Sequence, residues 1–309
     1  MPLPFLRLPE LIQTEVLLKL NQIDLIYVSS ISSKSRAIVK RSRKVIDLLR
    51  WNFGSVSDYD LELDRWGGCG LNFRIDPRVE NVSSIRINGE VVPIHRSGDN
   101  CLNIGGSDLS EDEQQKLMEL LSDLIFDIFK VKDCHLAVYN FEHKEFLSRY
   151  TKKLKTLQIE DENLPPDFQN VLEEFSVEEL IMYCFLHGEQ QPAKFNVPLK
   201  MKVLECLTFE CLSEEALASL ECPKVLLDTE EFNENDIKRG LREWKTGGLK
   251  HLEEFVVQWD SPTLEDLTRV LEEFQAEQIG EVEFRIQRED ETTANIALNT
   301  RGFKMTIEK

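Results

Sequence analysis

One short apolar pattern recurs down the second half of the chain and limits what it can fold into. Its copies are Leu154-x-x-Leu157-x-Ile159, Val177-x-x-Leu180-x-Met182, Leu204-x-x-Leu207-x-Phe209, Cys222-x-x-Val225-x-Leu227 and Leu252-x-x-Phe255-x-Val257. Val131–Tyr139 reads as an earlier copy. Residues alternating with period two place their apolar side chains on one face of a strand. A lone strand of this kind cannot bury that face and needs neighbours beside it. The middle positions fall irregularly, at 157, 180, 207, 225 and 255.

The stretches between copies suit returning helices or loops. Asn233 reads as a helix cap with Asp236 at the third position; Ile237, Leu241 and Trp244 face inward and Gly247-Gly248 ends the helix. Ser261 and Pro262 read as the next start, ahead of Leu264, Leu267, Val270, Leu271 and Phe274. Alternation returns in Val282-x-Phe284-x-Ile286, Ile296-x-Leu298 and Phe303-x-Met305-x-Ile307, three closing strands with Glu289-Asp290-Glu291 in a turn. Form and spacing suit leucine-rich-repeat-like coils, although the Asn of true leucine-rich repeats is missing. The expected fold class is α/β, with residues 51–309 an irregular leucine-rich-repeat-like α/β solenoid. The rival is an ordinary mixed α/β domain whose strands share the pattern.

Upstream, Asp60–Leu63, Leu71–Ile75, Ser84–Ile87 and Glu90–Pro93 read as strands. Asn88-Gly89 predicts a type I′ hairpin between the last two, because both residues tolerate positive φ. Trp66-Gly67-Gly68-Cys69-Gly70 lacks the spacing and the lysine of a phosphate loop and reads as a turn. Ser110 and Glu113 form a capping box that starts a helix to about Lys130, burying Leu117, Leu121, Leu124 and Ile128.

Composition narrows the function classes. Hydrophobic residues make up 41% of 309, a globular proportion. No run of 18 apolar residues and no signal peptide is present, and the seven cysteines are scattered without a CxxC. These features predict free thiols in a reducing compartment, cytoplasmic or nuclear. The net charge is −19. Residues 1–50 hold nine Lys/Arg and four Asp/Glu, net +5, so the other 259 carry −24. A body this acidic repels a phosphate backbone, which argues against nucleic acid as its partner.

The first residues follow another rule. Leu8-Pro9 opens a helix, with Pro9 at its first position, and Ile12, Val16 and Leu20 recur every four residues beside Leu17. After Asn21-Gln22, Asp24 reads as the cap of a shorter apolar turn holding Leu25, Ile26, Val28 and Ile31. Ser32 or Ser33 caps a third helix, expected to run from Lys34 to Arg50 through Ala37, Ile38, Val45, Ile46 and Leu49. The order Leu8-Pro9, Val16-Leu17, Leu20, Asp24-Leu25, Val28, Ile31-Ser32 closely resembles the F-box, a helical module that docks on the Skp-type adaptor of a cullin ubiquitin ligase. It departs at Gln22, where Pro is common, and at Ser35, where an aromatic or Arg is common. The resemblance implies a three-helix F-box over residues 1–50. It also implies an adaptor-binding set of Leu8, Pro9, Val16, Leu17, Leu20, Leu25, Val28 and Ile31.

A second resemblance lies downstream. Asn235-Asp236-Ile237, Leu241, Trp244, Gly247-Gly248 and Leu252-Glu253 are similar to the type 2 F-box-associated domain of the large nematode F-box families. So are the Ser84–Gly89 hairpin and the Phe284-Arg285-Ile286 and Phe303-x-Met305 strands. Together the two imply the substrate-recognition subunit of a Skp–cullin–F-box ligase. Its partners would be the adaptor, the cullin core and a target protein whose contact residues the sequence does not assign. The alternative is a repeat-type interaction module without ligase linkage, its N-terminal helices a mere cap.

No catalytic, metal or cofactor motif emerges. None of the five histidines sits in HExxH or at zinc-ligand spacing from a cysteine, and no GxSxG or GxxxxGK[ST] occurs. The acidic clusters Glu160-Asp161-Glu162 and Glu289-Asp290-Glu291 lack the alternating ligands of a calcium loop. The expectation is a binder, not an enzyme.

Overall fold

The computed structural model describes residues 5–54, 59–63, 71–75, 83–97, 101–105, 109–138, 147–160, 168–183, 199–229, 233–260, 263–299 and 301–308. The chain forms two compact units, Met1–Lys152 and Lys153–Lys309.

The first unit begins with three ten-residue helices: α1 (Glu10–Lys19), α2 (Gln22–Ile31) and α3 (Ser33–Ser42). Pro9 sits one position earlier than expected, as the N-cap of α1. Asn21, not Asp24, caps α2: its side chain accepts the Asp24 backbone N–H at 2.8 Å. Asp24 lies inside the first turn, where a carboxylate meets the positive end of the helix dipole. Ser32 caps α3, and Ser35 completes a capping box by reaching back to the Ser32 N–H at 3.0 Å. The small residue at 35 therefore fastens the helix start. Gln22 occupies the first helical position.

The third helix is shorter than expected. Arg43 takes the left-handed conformation (φ 48°) and ends α3 at Ser42; β1 (Val45–Phe53) begins after Lys44. Val45, Ile46 and Leu49 fit a helical stripe as well as a strand, and the backbone reversal at Arg43 decides between them. Strand β1 is central. It pairs antiparallel with β2 (Tyr59–Leu63) and parallel with β7 (Lys130–Val138). Beyond β2 come β3 (Leu71–Ile75), β6 (Cys101–Ile104), β5 (Glu90–Arg96) and β4 (Ser83–Ile87). Asn88 (φ 51°) and Gly89 (φ 92°) make the expected turn between β4 and β5. Helix α4 (Glu111–Ile128) starts at the Ser110–Glu113 capping box and lies over β1. There Trp51 stacks on Phe126 and donates to Ser122 Oγ at 2.9 Å.

The second unit is a mixed sheet in the order β8 (Lys153–Ile159), β9 (Ser176–Met182), β10 (Val203–Cys206), β11 (Lys224–Asp228), β12 (Glu254–Gln258), β16 (Gly302–Ile307), β15 (Thr293–Asn299), β14 (Glu283–Gln287) and β13 (Glu277–Gln278). Strands β8 to β12 run parallel, and the closing strands are antiparallel. Each of the five sequence copies contributes one parallel strand. In the third copy the strand uses Leu204, not Leu207, so the aligned positions become 157, 180, 204, 225 and 255. These residues continue into Met305, Ile296 and Phe284 as one buried row across the sheet. Helices return between the parallel strands: α5 (Phe168–Glu174), α6 (Glu214–Ala218) and α7 (Glu234–Lys245), with α8 (Leu264–Glu272) after β12.

Helix α7 is capped by Asn233 and buries Ile237, Leu241 and Trp244, as expected. Gly240 lets it approach the sheet: a Cβ there would lie 2.9 Å from the Phe255 ring. Thr263 caps α8; the expected Ser261-Pro262 start lies outside the described residues, as do Trp66–Gly70, Tyr139 and Asp161-Glu162. No helix among the described residues is long and apolar enough to cross a membrane.

Candidate docking site

Of the three N-terminal helices, α1 leaves most of its apolar residues uncovered. Helix α1 turns Gln13 and Leu17 inward, and the Gln13 amide donates to the Leu8 carbonyl at 2.8 Å. Helix α2 buries Ile23, Leu25, Ile26 and Ser29, and α3 buries Ile38 and Val39. The stripe through Ile12 and Val16 therefore points to solvent. Leu11 is 74% exposed, Ile12 47% and Ile31 75%, and Leu6, Val16 and Leu18 are exposed with them. Apolar residues at this density on one helix are costly in water and mark a surface meant for another molecule.

The eight expected docking residues divide by depth. Pro9, Val16 and Ile31 are exposed, and Leu8, Leu20 and Val28 are half-buried. Leu17 and Leu25 are fully buried between the helices and shape the surface without lying on it. Leu11 and Leu18 were not in the expected set, and Ile12 stood in the stripe but outside that set. The four-residue step from Ile12 to Val16 is the signal that could have included Ile12.

Charged ties hold the helices in place. Arg36 and Lys40 of α3 both reach Asp127 of α4, at 2.7 and 2.6 Å, and Arg36 donates to Asn88 Oδ1 at 2.7 Å. Arg41 pairs with Glu10 of α1 at 2.6 Å, and the Lys44 ammonium donates to the Leu20 carbonyl. The arrangement is a short helical trio, apolar outward and pinned to the sheet behind it.

Residues 5–47 match the F-box domain. No curated protein and no solved structure matches the chain. The F-box match ends inside β1, so the last residues of the module are already sheet.

Away from the F-box, the structure assembles side chains that the sequence left scattered. One face of the first unit's sheet is polar. Cross-strand register sets His135, Arg50, Glu62 and Asn72 in one row, and Asn52, Asp60, Arg74 and Asn103 in the next. Asp60 and Glu62 are buried, and Arg74 lies 3.5 Å from Asp60. Opposed charges facing each other across strands are a stabilising arrangement. In the second unit Lys153 and Lys202 flank Glu178 at 2.6 and 2.7 Å and pull its carboxyl down to about 2. That group borders a cleft of about 570 Å³ with Met201, Pro223 and His251.

Among the described residues of the second unit, Asp236 is the buried carboxylate. Burial raises its pKa, while it accepts from Thr208 Oγ1 at 2.6 Å and from the Phe209 N–H at 3.2 Å. Burial also pushes the Cys134 thiol up to about 12 and the Cys222 thiol to about 11, far from thiolate chemistry at neutral pH. Among the described residues no group of three or more His, Cys, Asp or Glu side chains converges as a metal site would.

Proposed function

We propose that the chain is the substrate receptor of a Skp–cullin–F-box ubiquitin ligase. The observation that carries this reading is the set of exposed apolar side chains on the matched F-box: Leu11, Ile12 and Val16 on α1, with Ile31 at the end of α2. A surface of this kind, covering about 800 Å² on each side with a few central anchors, supports a stable complex. Docked there, the Skp-type adaptor links the chain to the cullin core. The rest of the chain holds a target protein, and a target lysine is modified because it is kept near the ligase's conjugating enzyme. No residue of this chain needs to act chemically, and the protein is not itself an enzyme. It works in a reducing compartment, cytoplasmic or nuclear.

For the body we keep the finer reading of a leucine-rich-repeat-like α/β solenoid related to the type 2 F-box-associated domain. Its support is the run of five parallel strands with returning helices, and the Trp244-centred end of α7. The alternative is an interaction module whose helices only cap the sheet. It draws support from the ties of Arg36 and Lys40 to Asp127.

Titration of purified Skp-type adaptor against the full chain separates the two. The double variant Leu11→Asp with Ile12→Asp should abolish binding while leaving circular dichroism unchanged, since both side chains are exposed. Adaptor binding by the double variant at wild-type strength would sink the receptor reading.

A further inference from the structure

A cleft of about 460 Å³ lies beside α2, lined by Tyr27, Ser30 and Ile31 on the helix and by Ser84, Ile85, Arg86 and Val91 on the β4–β5 hairpin. Half of its wall is thus outside the matched F-box. Ile31 is 75% exposed, and Val91, across from it, is 59% exposed. Val91 and Ile31 together leave two exposed apolar side chains on the cleft wall. Arg86 is the cross-strand partner of Val91 and pairs with no described carboxylate.

The cleft is built before any partner arrives. Helix α2 packs on β4, and Arg36 of α3 holds Asn88 at the hairpin turn. Lys116 of α4 reaches Glu90 of β5 at 3.5 Å. The hairpin cannot drift from the helix without breaking these ties.

We propose that this cleft is a second part of the adaptor dock, which takes an apolar side chain flanked by a carboxylate. The inference rests on the receptor reading and extends it from the helices to the hairpin. Two observations choose the occupant. Ile31 belongs both to the matched F-box and to the cleft wall, so a partner seated on the end of α2 also meets the hairpin. The charge also fits: residues 1–50 carry net +5 on a chain of −19, and Arg86, which pairs with no carboxylate among the described residues, adds a cation to the cleft lining. A partner matched to this end of the molecule is acidic, with an apolar anchor between its charges.

The test is calorimetric titration of purified Skp-type adaptor into the full chain. Val91→Glu puts a carboxylate into the apolar wall and should weaken binding about tenfold or more. Arg86→Glu should weaken it and flatten its dependence on salt; it also serves if Val91→Glu perturbs the hairpin. Val282→Glu, on an exposed apolar side chain of the second unit, should bind as wild type. If Val91→Glu and Arg86→Glu bind as wild type while Leu11→Asp with Ile12→Asp does not bind, the cleft proposal falls and the helical dock stands. If wild-type chain fails to bind the adaptor, both fall.

Discussion

At the scale of single residues, depth separates the apolar side chains of the N-terminal helices into two populations with opposite roles. Leu17 has no exposed surface, whereas Leu11, one helical face away, is three-quarters exposed. Leu17→Ala should therefore cost about 2–5 kcal/mol in chemical denaturation, the usual range for emptying a buried leucine site. Leu11→Ala should change stability by less than about 0.5 kcal/mol. Equal costs for the two would mean that the outward row is not outward. Spacing alone could not sort them. Leu8, Val16, Leu17, Leu20, Leu25, Val28 and Ile31 are all apolar at helical intervals, and the short α1 and α2 carry apolar residues on more than one face. The capping residues were easier. Ser110 and Asn233 act as the sequence predicts, and of the two candidates Ser32 and Ser33 it is Ser32 that caps, because a hydroxyl or amide placed just before an apolar turn has few other uses.

At the scale of elements, α3 is held to α4 by a shared carboxylate. Burial pushes the Asp127 carboxyl up, but hydrogen bonds and charge from Lys40 and Arg36 outweigh it and leave its pKa below the ordinary value. The folded group is thus the stronger acid. Its contribution is fully present above the unfolded value, near pH 4, and is lost as the pH falls through the folded one. The three side chains are partly solvated, so the contribution is about 1 kcal/mol or less. Asp127→Asn should lower stability by that amount at pH 6, and the gap to wild type should close as the pH drops below about 4. A gap that stays constant with pH would refute the assignment. Strands were legible where alternation was clean, as in β14 to β16 and the β4–β5 hairpin. Two were misjudged for a physical reason. In Val45–Phe53 the neighbours Leu48 and Leu49 are both buried, which breaks the period of two, and the third repeat copy offers Leu204 and Leu207 three residues apart, so the pattern admits two registers.

At the scale of the molecule, the position of β1 governs what can be cut away. A boundary after residue 50 falls inside this central strand, between β2 and β7. A chain starting at residue 51 lacks six of the nine residues of β1. It should lose slow amide exchange throughout β2, β3 and β7, while β10 to β12 of the second unit keep theirs. Protection in β2 and β7 at wild-type level would show that β1 is dispensable. Composition announced an acidic, globular chain, and the spacing of apolar residues announced helices at the front followed by strands. The polar face of the first sheet and the cleft beside α2 were not legible, because they join residues brought together only by strand pairing and by the packing of α2 on β4. Arg43 and Lys44 form the joint between α3 and β1. Two residues, one of them locked in a left-handed turn, leave no swivel between helix and strand. Whatever takes hold of the trio steers the first unit's sheet like the blade of an oar, and aim is set by the stiffness of the handle.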